Sequence, residues 1–126
     1  MNNVLLIDDD AAHRIVASRA LKDVPLPLTI FQASNTKEAL DYLSKNEFAL
    51  IVLDVKLDHE SGIDLLPQIR ENNPTVPVIM VSTSDLEEHI SASYASGANC
   101  YIIKGLNPAE YRQNLSQAAK YFLYGC

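Results

Sequence analysis

The chain has 126 residues, of which 48% are apolar and 21% charged, with ordinary glycine and proline content; this suits one globular domain with a sizeable core and excludes a disordered or fibrous chain. The formal net charge is −6 and no Lys/Arg cluster occurs, so direct nucleic-acid binding is not expected. The N-terminal apolar run is too short for a signal-peptide core or a membrane span, and Cys100 and Cys126 give no disulfide pattern, so a cytoplasmic protein with no membrane partner is expected.

The first apolar run is Val4 to Ile7, followed by three aspartates and a helical stripe of Ala12, Ile15, Val16 and Ala20. Asp10 reads as a turn residue or helix cap. The second run is Leu28 to Phe31. Asn35 with Glu38 then has capping-box spacing ahead of a stripe of Thr36, Ala39, Leu40 and Leu43. The third run, Phe48 to Leu53, precedes a stripe of Leu65, Leu66 and Ile69, where Pro67 is expected to bend the helix or shift its start. The fourth run, Val76 to Val81, leads to a helix over about Asp85 to Ser96, with Ser84 and Glu87 at capping-box spacing. Its thin stripe of Leu86, Ile90 and Tyr94 predicts the least firmly packed helix. After Cys100 to Ile103, Asn107 caps a last helix with Pro108 in the first turn and a buried face of Tyr111, Leu115, Ala118 and Phe122. The runs show little polar alternation, as strands buried on both faces do. Five alternating rounds predict an α/β fold, one domain over 1–126, with a doubly wound five-stranded parallel sheet.

In such a sheet, ligands bind beyond the carboxyl ends of the strands. The strand ends here are Asp8 and Asp9, then Asp54, then Ser82 and Thr83, then Lys104. Three carboxylates, a hydroxyl and an ammonium suit a site that holds a hard divalent cation such as Mg²⁺ together with a phosphoryl group. Lys104 would supply a compact positive charge and Ser82 a hydrogen bond. His13, His59 and His89 are scattered without ligand spacing and read as surface residues.

The sequence Val-Leu-Leu-Ile-Asp-Asp at 4–9, Ile-Val-Leu-Asp at 51–54 with Gly62 beyond, Pro-Val-Ile-Met-Val-Ser at 77–82, and Gly-Ala-Asn-Cys-Tyr-Ile-Ile-Lys at 97–104 resembles the receiver domains of two-component response regulators over essentially the whole chain. The resemblance implies a CheY-like, flavodoxin-like (βα)5 three-layer sandwich and a phosphoacceptor that takes a phosphoryl group from a sensor histidine kinase or histidine phosphotransfer protein. It implies Asp54 as the acceptor, with Mg²⁺ held by Asp9, Asp54 and the backbone carbonyl of Lys56, and by Asp8 through a water. Ser82, Thr83 and Lys104 would meet the phosphoryl group. Ser82 and Tyr101 would form a switch, with the Tyr101 ring passing from exposed to buried and changing the surface of the fourth helix, fifth strand and fifth helix. That surface would take a downstream effector protein or a second copy of the chain as a homodimer. Ser-Thr-Ser at 82–84, Ala-Ser-Tyr at 92–94 and Asn-Cys-Tyr at 99–101 look like small single-domain regulators that partner bacterial phytochromes.

Two departures from the family pattern stand out. Gly105 replaces the usual proline after the lysine, so a trans Lys104–Gly105 bond is expected. Leu57 and Asp58 replace a Met-Pro pair, adding a negative charge near the site. The resemblance implies a signalling switch that catalyses only its own phosphorylation and dephosphorylation. Three alternatives stay open: a receiver cut from a longer DNA-binding transcription factor, a phosphate-independent binding module, and a haloacid-dehalogenase-type phosphohydrolase using Asp8 and Asp10. The phosphohydrolase is disfavoured because only Glu110 follows Lys104 as an acidic partner, and it already reads as a helix-start residue.

Overall fold

In a computed structural model, which describes residues 2–124, five parallel strands form one sheet: β1 (Asn3–Ile7), β2 (Thr29–Ala33), β3 (Leu50–Asp54), β4 (Val78–Ser82) and β5 (Cys100–Ile103). The strands lie in the order β2-β1-β3-β4-β5. Five helices alternate with them: α1 (Ala11–Lys22), α2 (Thr36–Lys45), α3 (Gly62–Asn72), α4 (Glu87–Ala95) and α5 (Pro108–Tyr124). The expected doubly wound α/β architecture is present. Strands β2 to β4 begin and end one or two residues later than the apolar runs, because the ladder extends into Ala33, Asp54 and Ser82. The sequence reading of Cys126 lies outside the described residues.

Strand side chains alternate between two cores, as the period of two requires. Val4, Leu6, Leu50, Val52, Ile79 and Val81 face Ala17, Ala20 and Leu21 of α1 and Tyr111, Leu115 and Ala119 of α5. Leu5, Ile7, Ile51, Leu53, Val78 and Met80 face Ala39 of α2 and Leu65, Leu66 and Ile69 of α3. No helix among the described residues is long and apolar enough to cross a membrane.

Several local expectations are corrected. The buried stripe of α1 is Ala17, Ala20 and Leu21, with Val16 half-buried, while Ala12 and Ile15 are exposed. Asp10 caps this helix, its carboxylate accepting from the His13 amide at 3.0 Å. In α5, Ser116 and Ala119 join Tyr111 and Leu115 in the core, and Ala118 and Phe122 are half-buried. Pro67 lies inside α3, which begins at Gly62 and runs on to Asn72, so its start is not shifted to the proline.

The Ser84–Glu87 capping box does not form. Leu86 is the residue before α4 and offers no side-chain cap, and Ser84 instead accepts from the Leu86 amide at 3.2 Å and pairs with His89 Nδ1 at 2.7 Å. Two of the three residues of the predicted stripe lie outside: Leu86 is 50% and Tyr94 49% exposed, Ile90 is half-buried, and Ser93 is the buried residue of the helix. The Asn35 cap does form, accepting from the Glu38 amide at 2.8 Å. Glu38 reaches one residue further back than a capping box requires and accepts from the Ser34 amide and hydroxyl. Asn107 caps α5 through the Ala109 amide at 3.0 Å.

Candidate functional site

The strand order reverses between β1 and β3, which places the residues after Ile7 and those ending at Asp54 at the mouth of one crevice. Asp8 is fully buried, Asp54 is 6% exposed and Lys104 is 4% exposed. Oxygen atoms of Asp8, Asp9 and Asp54 all lie within 4.8 Å of one another. The Lys104 ammonium donates to Asp8 Oδ2 at 2.7 Å and to Asp54 Oδ2 at 3.0 Å, so residues 96 and 50 positions apart in sequence meet at one point. Its third contact, at 2.9 Å, is His13 Nδ1.

The carboxylates are held from behind by backbone amides. Asp8 Oδ1 accepts from the Asp10 amide at 2.9 Å, Asp54 Oδ1 from the Lys56 amide at 3.2 Å, and Asp9 Oδ2 from the Asp58 amide at 2.6 Å. The last contact requires a tight turn after β3, in which Asp58 takes φ 38°, a left-handed conformation that aspartate tolerates better than most residues. The Asp58 side chain is largely exposed, lies 3.8 Å from His59 Nε2 and lines the rim of the same crevice. Lys56–Leu57 and Glu60–Ser61 pair as a two-residue antiparallel ribbon that closes this turn, and the Glu60 carboxylate accepts from the Thr36 amide at the start of α2.

Gly62 begins α3 against the carbonyl of Asp54, where any Cβ would collide with that backbone oxygen. The Gly62 amide donates to the Val55 carbonyl at 2.7 Å, fixing the chain that carries Asp54. The Lys104–Gly105 peptide is trans, as expected, and Gly105 takes φ 66°, where an added Cβ would point into open space.

Burial, and then the neighbouring Asp8 carboxylate, push Asp54 up to about 7 against the opposing pull of Lys104. Lys104 therefore does not neutralise the carboxylate pair by itself. An all-oxygen donor set with residual negative charge is what a hard divalent cation requires, so the residues present fit one.

Ser82 is buried and its hydroxyl accepts from the Ser84 amide at 3.0 Å; the Tyr101 hydroxyl, on a half-buried ring, donates to the Ser84 carbonyl at 2.9 Å. Ser84 thus joins both residues of the expected switch and, through its own hydroxyl, His89 of α4. A cleft of about 200 Å³ over the acidic trio is lined by Asp9, His13, Asp54, Lys56, Thr83 and Lys104 among others. The structure therefore brings Asp8, Asp9, Asp54 and Lys104 together with Thr83 at the cleft, while Ser82 lines a neighbouring pocket with Val55, Lys56 and Thr83.

Two histidines depart from their surface reading. His13 meets Lys104 and His89 meets Ser84, whereas His59 is exposed as expected. A signal for His13 was present in its position: in α1, side chains lean toward the N-terminus, and a residue one turn after Asp9 leans back over the strand ends.

Parallel order β2-β1-β3-β4-β5, with acidic residues at the ends of β1 and β3 and a lysine ending β5, defines a receiver-type switch, and residues 4–116 match the response regulator receiver domain. The chain belongs to that family, the receiver domain of two-component signalling. The transcriptional regulatory protein SrrA of Staphylococcus aureus is 32% identical over 109 residues, covering 86% of this chain and 44% of SrrA, so this chain spans less than half of that relative's length. The phosphorylated cyanobacterial phytochrome response regulator RcpA superposes with a TM-score of 0.90 at 26% identity, covering 99% of this chain and 96% of RcpA. The Mn²⁺-bound response regulator Rcp1 superposes with a TM-score of 0.88 at 23% identity, covering 100% of this chain and 97% of Rcp1, and at that identity it bears on the fold alone.

Proposed function

We propose that this chain is a phosphorelay receiver in which Asp54 accepts the phosphoryl group. The observation that carries the reading is the convergence of Asp8, Asp9, Asp54 and the Lys104 ammonium from three strand ends. A carboxylate oxygen of Asp54 attacks the phosphorus of a phosphohistidine on a sensor histidine kinase or phosphotransfer protein. The phosphorus–nitrogen bond breaks, its electron pair stays on the imidazole, and an acyl phosphate forms on Asp54.

Phosphoryl transfer needs chiefly positioning and charge neutralisation. Asp9, Asp54 and the Lys56 carbonyl would hold Mg²⁺ directly, with Asp8 acting through a water, and the ion supplies positive charge to the phosphoryl oxygens. Lys104 turns from the Asp54 carboxylate to a phosphoryl oxygen. Ser82 donates to another, and Thr83 lies at the rim of the cleft. Once Ser82 turns to the phosphoryl group it releases the Ser84 amide, and the Tyr101–Ser84 contact carries the change to α4, β5 and α5.

An effector protein or a second copy would read that surface, in the cytoplasm, and the protein would turn over no other substrate. The likeness to RcpA favours a phytochrome-type kinase as the donor. Titration with Mg²⁺ and then beryllofluoride, followed by amide NMR, tests the site. Shifts at Ser82, Ser84, Tyr101 and Lys104 are expected on the second addition, and no response to either addition contradicts the reading.

A further inference from the structure

We propose that His13 is a positioning residue for Lys104: its Nδ1 lone pair holds the ammonium over the carboxylates and keeps it ready to meet the phosphoryl group. This inference rests on Asp54 being the acceptor.

The backbone fixes where this side chain starts but not where its tip lies: the Lys104 amide donates to the Ser82 carbonyl at 2.7 Å. Beyond it come Gly105 at φ 66°, where an added Cβ would meet nothing, and Leu106, which is fully exposed, so the following loop packs nothing against the lysine side chain. The position of the ammonium is therefore set by its own contacts. A lysine ammonium has three donors and no acceptor. Here the three are taken by Asp8 Oδ2 at 2.7 Å, Asp54 Oδ2 at 3.0 Å and His13 Nδ1 at 2.9 Å.

Because Lys104 can only donate, Nδ1 must present its lone pair and the imidazole proton must sit on Nε2. The ring is fixed at its base as well. The His13 amide donates to Asp10 Oδ1 at 3.0 Å, which ties its backbone to the cap of α1. His13 thus stands at the capped start of α1.

The consequence appears on phosphorylation. When Asp54 becomes an acyl phosphate, its contact with Lys104 is exchanged for one to a phosphoryl oxygen. Two anchors then remain, Asp8 and His13. Removing the His13 acceptor leaves a single anchor for the ammonium, which is then aligned for a smaller fraction of encounters. A hydrogen bond to a charged donor of this kind corresponds to roughly a tenfold effect on rate.

The test compares wild type, His13→Leu and His13→Asn for phosphorylation by a small acyl phosphate at saturating Mg²⁺, with Mg²⁺ affinity measured on each. Asparagine places a carbonyl oxygen about where Nδ1 lies, and leucine places nothing polar there. The expected result is a rate about tenfold lower for His13→Leu, recovery to within about threefold in His13→Asn, and unchanged Mg²⁺ affinity in both. Equal rates for wild type and His13→Leu overturn the proposal while leaving Asp54 as acceptor. A slow His13→Asn equal to His13→Leu overturns it too, because a structural role alone then explains the loss. Failure of wild type to be phosphorylated at all removes the acceptor reading, and the proposal falls with it. An independent measurement is the imidazole ¹⁵N spectrum of unmodified wild type. A proton on Nε2 with Nδ1 hydrogen-bonded is expected, and a proton on Nδ1 overturns the proposal whatever the rates.

Discussion

Replacing Asp54 with asparagine removes a charge that the fold opposes, and it should stabilise the metal-free protein. In the folded chain burial and the Asp8 carboxylate raise this group from 3.8 to about 7, so the folded state favours its protonated form. The contribution of Asp54 to stability is therefore greatest below its unfolded value near 3.8, declines as pH rises, and levels off above about 7. The difference of about three pH units corresponds to roughly 4 kcal/mol at pH 8 and about 2 kcal/mol at pH 5, as upper limits. Asparagine keeps the shape and an oxygen for Lys104 but carries no charge. Urea unfolding with a chelator present should show Asp54→Asn more stable than wild type by about 2 to 4 kcal/mol at pH 8, with less than half that gain at pH 5. Saturating Mg²⁺ should reverse the order by stabilising wild type alone. A variant less stable than wild type at pH 8, or a gain independent of pH, would refute the electrostatic reasoning.

Gly62→Ala should cost about 3 kcal/mol or more, because its Cβ meets the Asp54 carbonyl, and should displace the acceptor; thermal unfolding and Mg²⁺ titration would show both effects. Arg70 donates to the carbonyls of Asn73, Val76 and Gly97 and to Asn99 Oδ1, stitching the end of α3 to the loop before β5. Arg70→Met should destabilise by about 2 to 3 kcal/mol and raise amide exchange at Gly97 and Asn99, and unchanged stability would show these bonds to be replaceable by water. Mg²⁺ affinity should fall as pH drops below about 7, because Asp54 is protonated there and must lose its proton on binding, and calorimetry in buffers of different ionisation enthalpy would count the protons released.

The sheet was legible because its strands are buried on both faces and read as uninterrupted apolar runs between turn signals. The strand-end residues were legible for the same reason, since the last residue of each run falls at one edge of a parallel sheet. Helix faces were less so. In α1 the small residues Ala12 and Ala17 look alike in a hydrophobic pattern, and packing against α5 and the sheet buries Ala17 alone. At α4 the large apolar residues Leu86, just before the helix, and Tyr94 stay outside, and Ser93 is the buried residue. Ser84 was misread because a hydroxyl three residues before a glutamate has another use when a histidine lies one turn further on. The ribbon at Lys56–Leu57 and Glu60–Ser61 left no trace in apolar periodicity, since it is held by a turn around Asp58 and by the Asp9 carboxylate. The position of His13 one turn after Asp9 points it toward the strand ends, but that its partner there is Lys104, 91 positions away, depends on tertiary placement.

The central claim concerns Asp54, and intact-mass spectrometry tests it most directly. Incubation with a small acyl phosphate and Mg²⁺ should add one phosphoryl group, mapped by peptide analysis to Asp54, with none added to Asp54→Asn or in the presence of excess chelator. Undiminished labelling of Asp54→Asn, or a single phosphoryl group mapped elsewhere, would contradict the account.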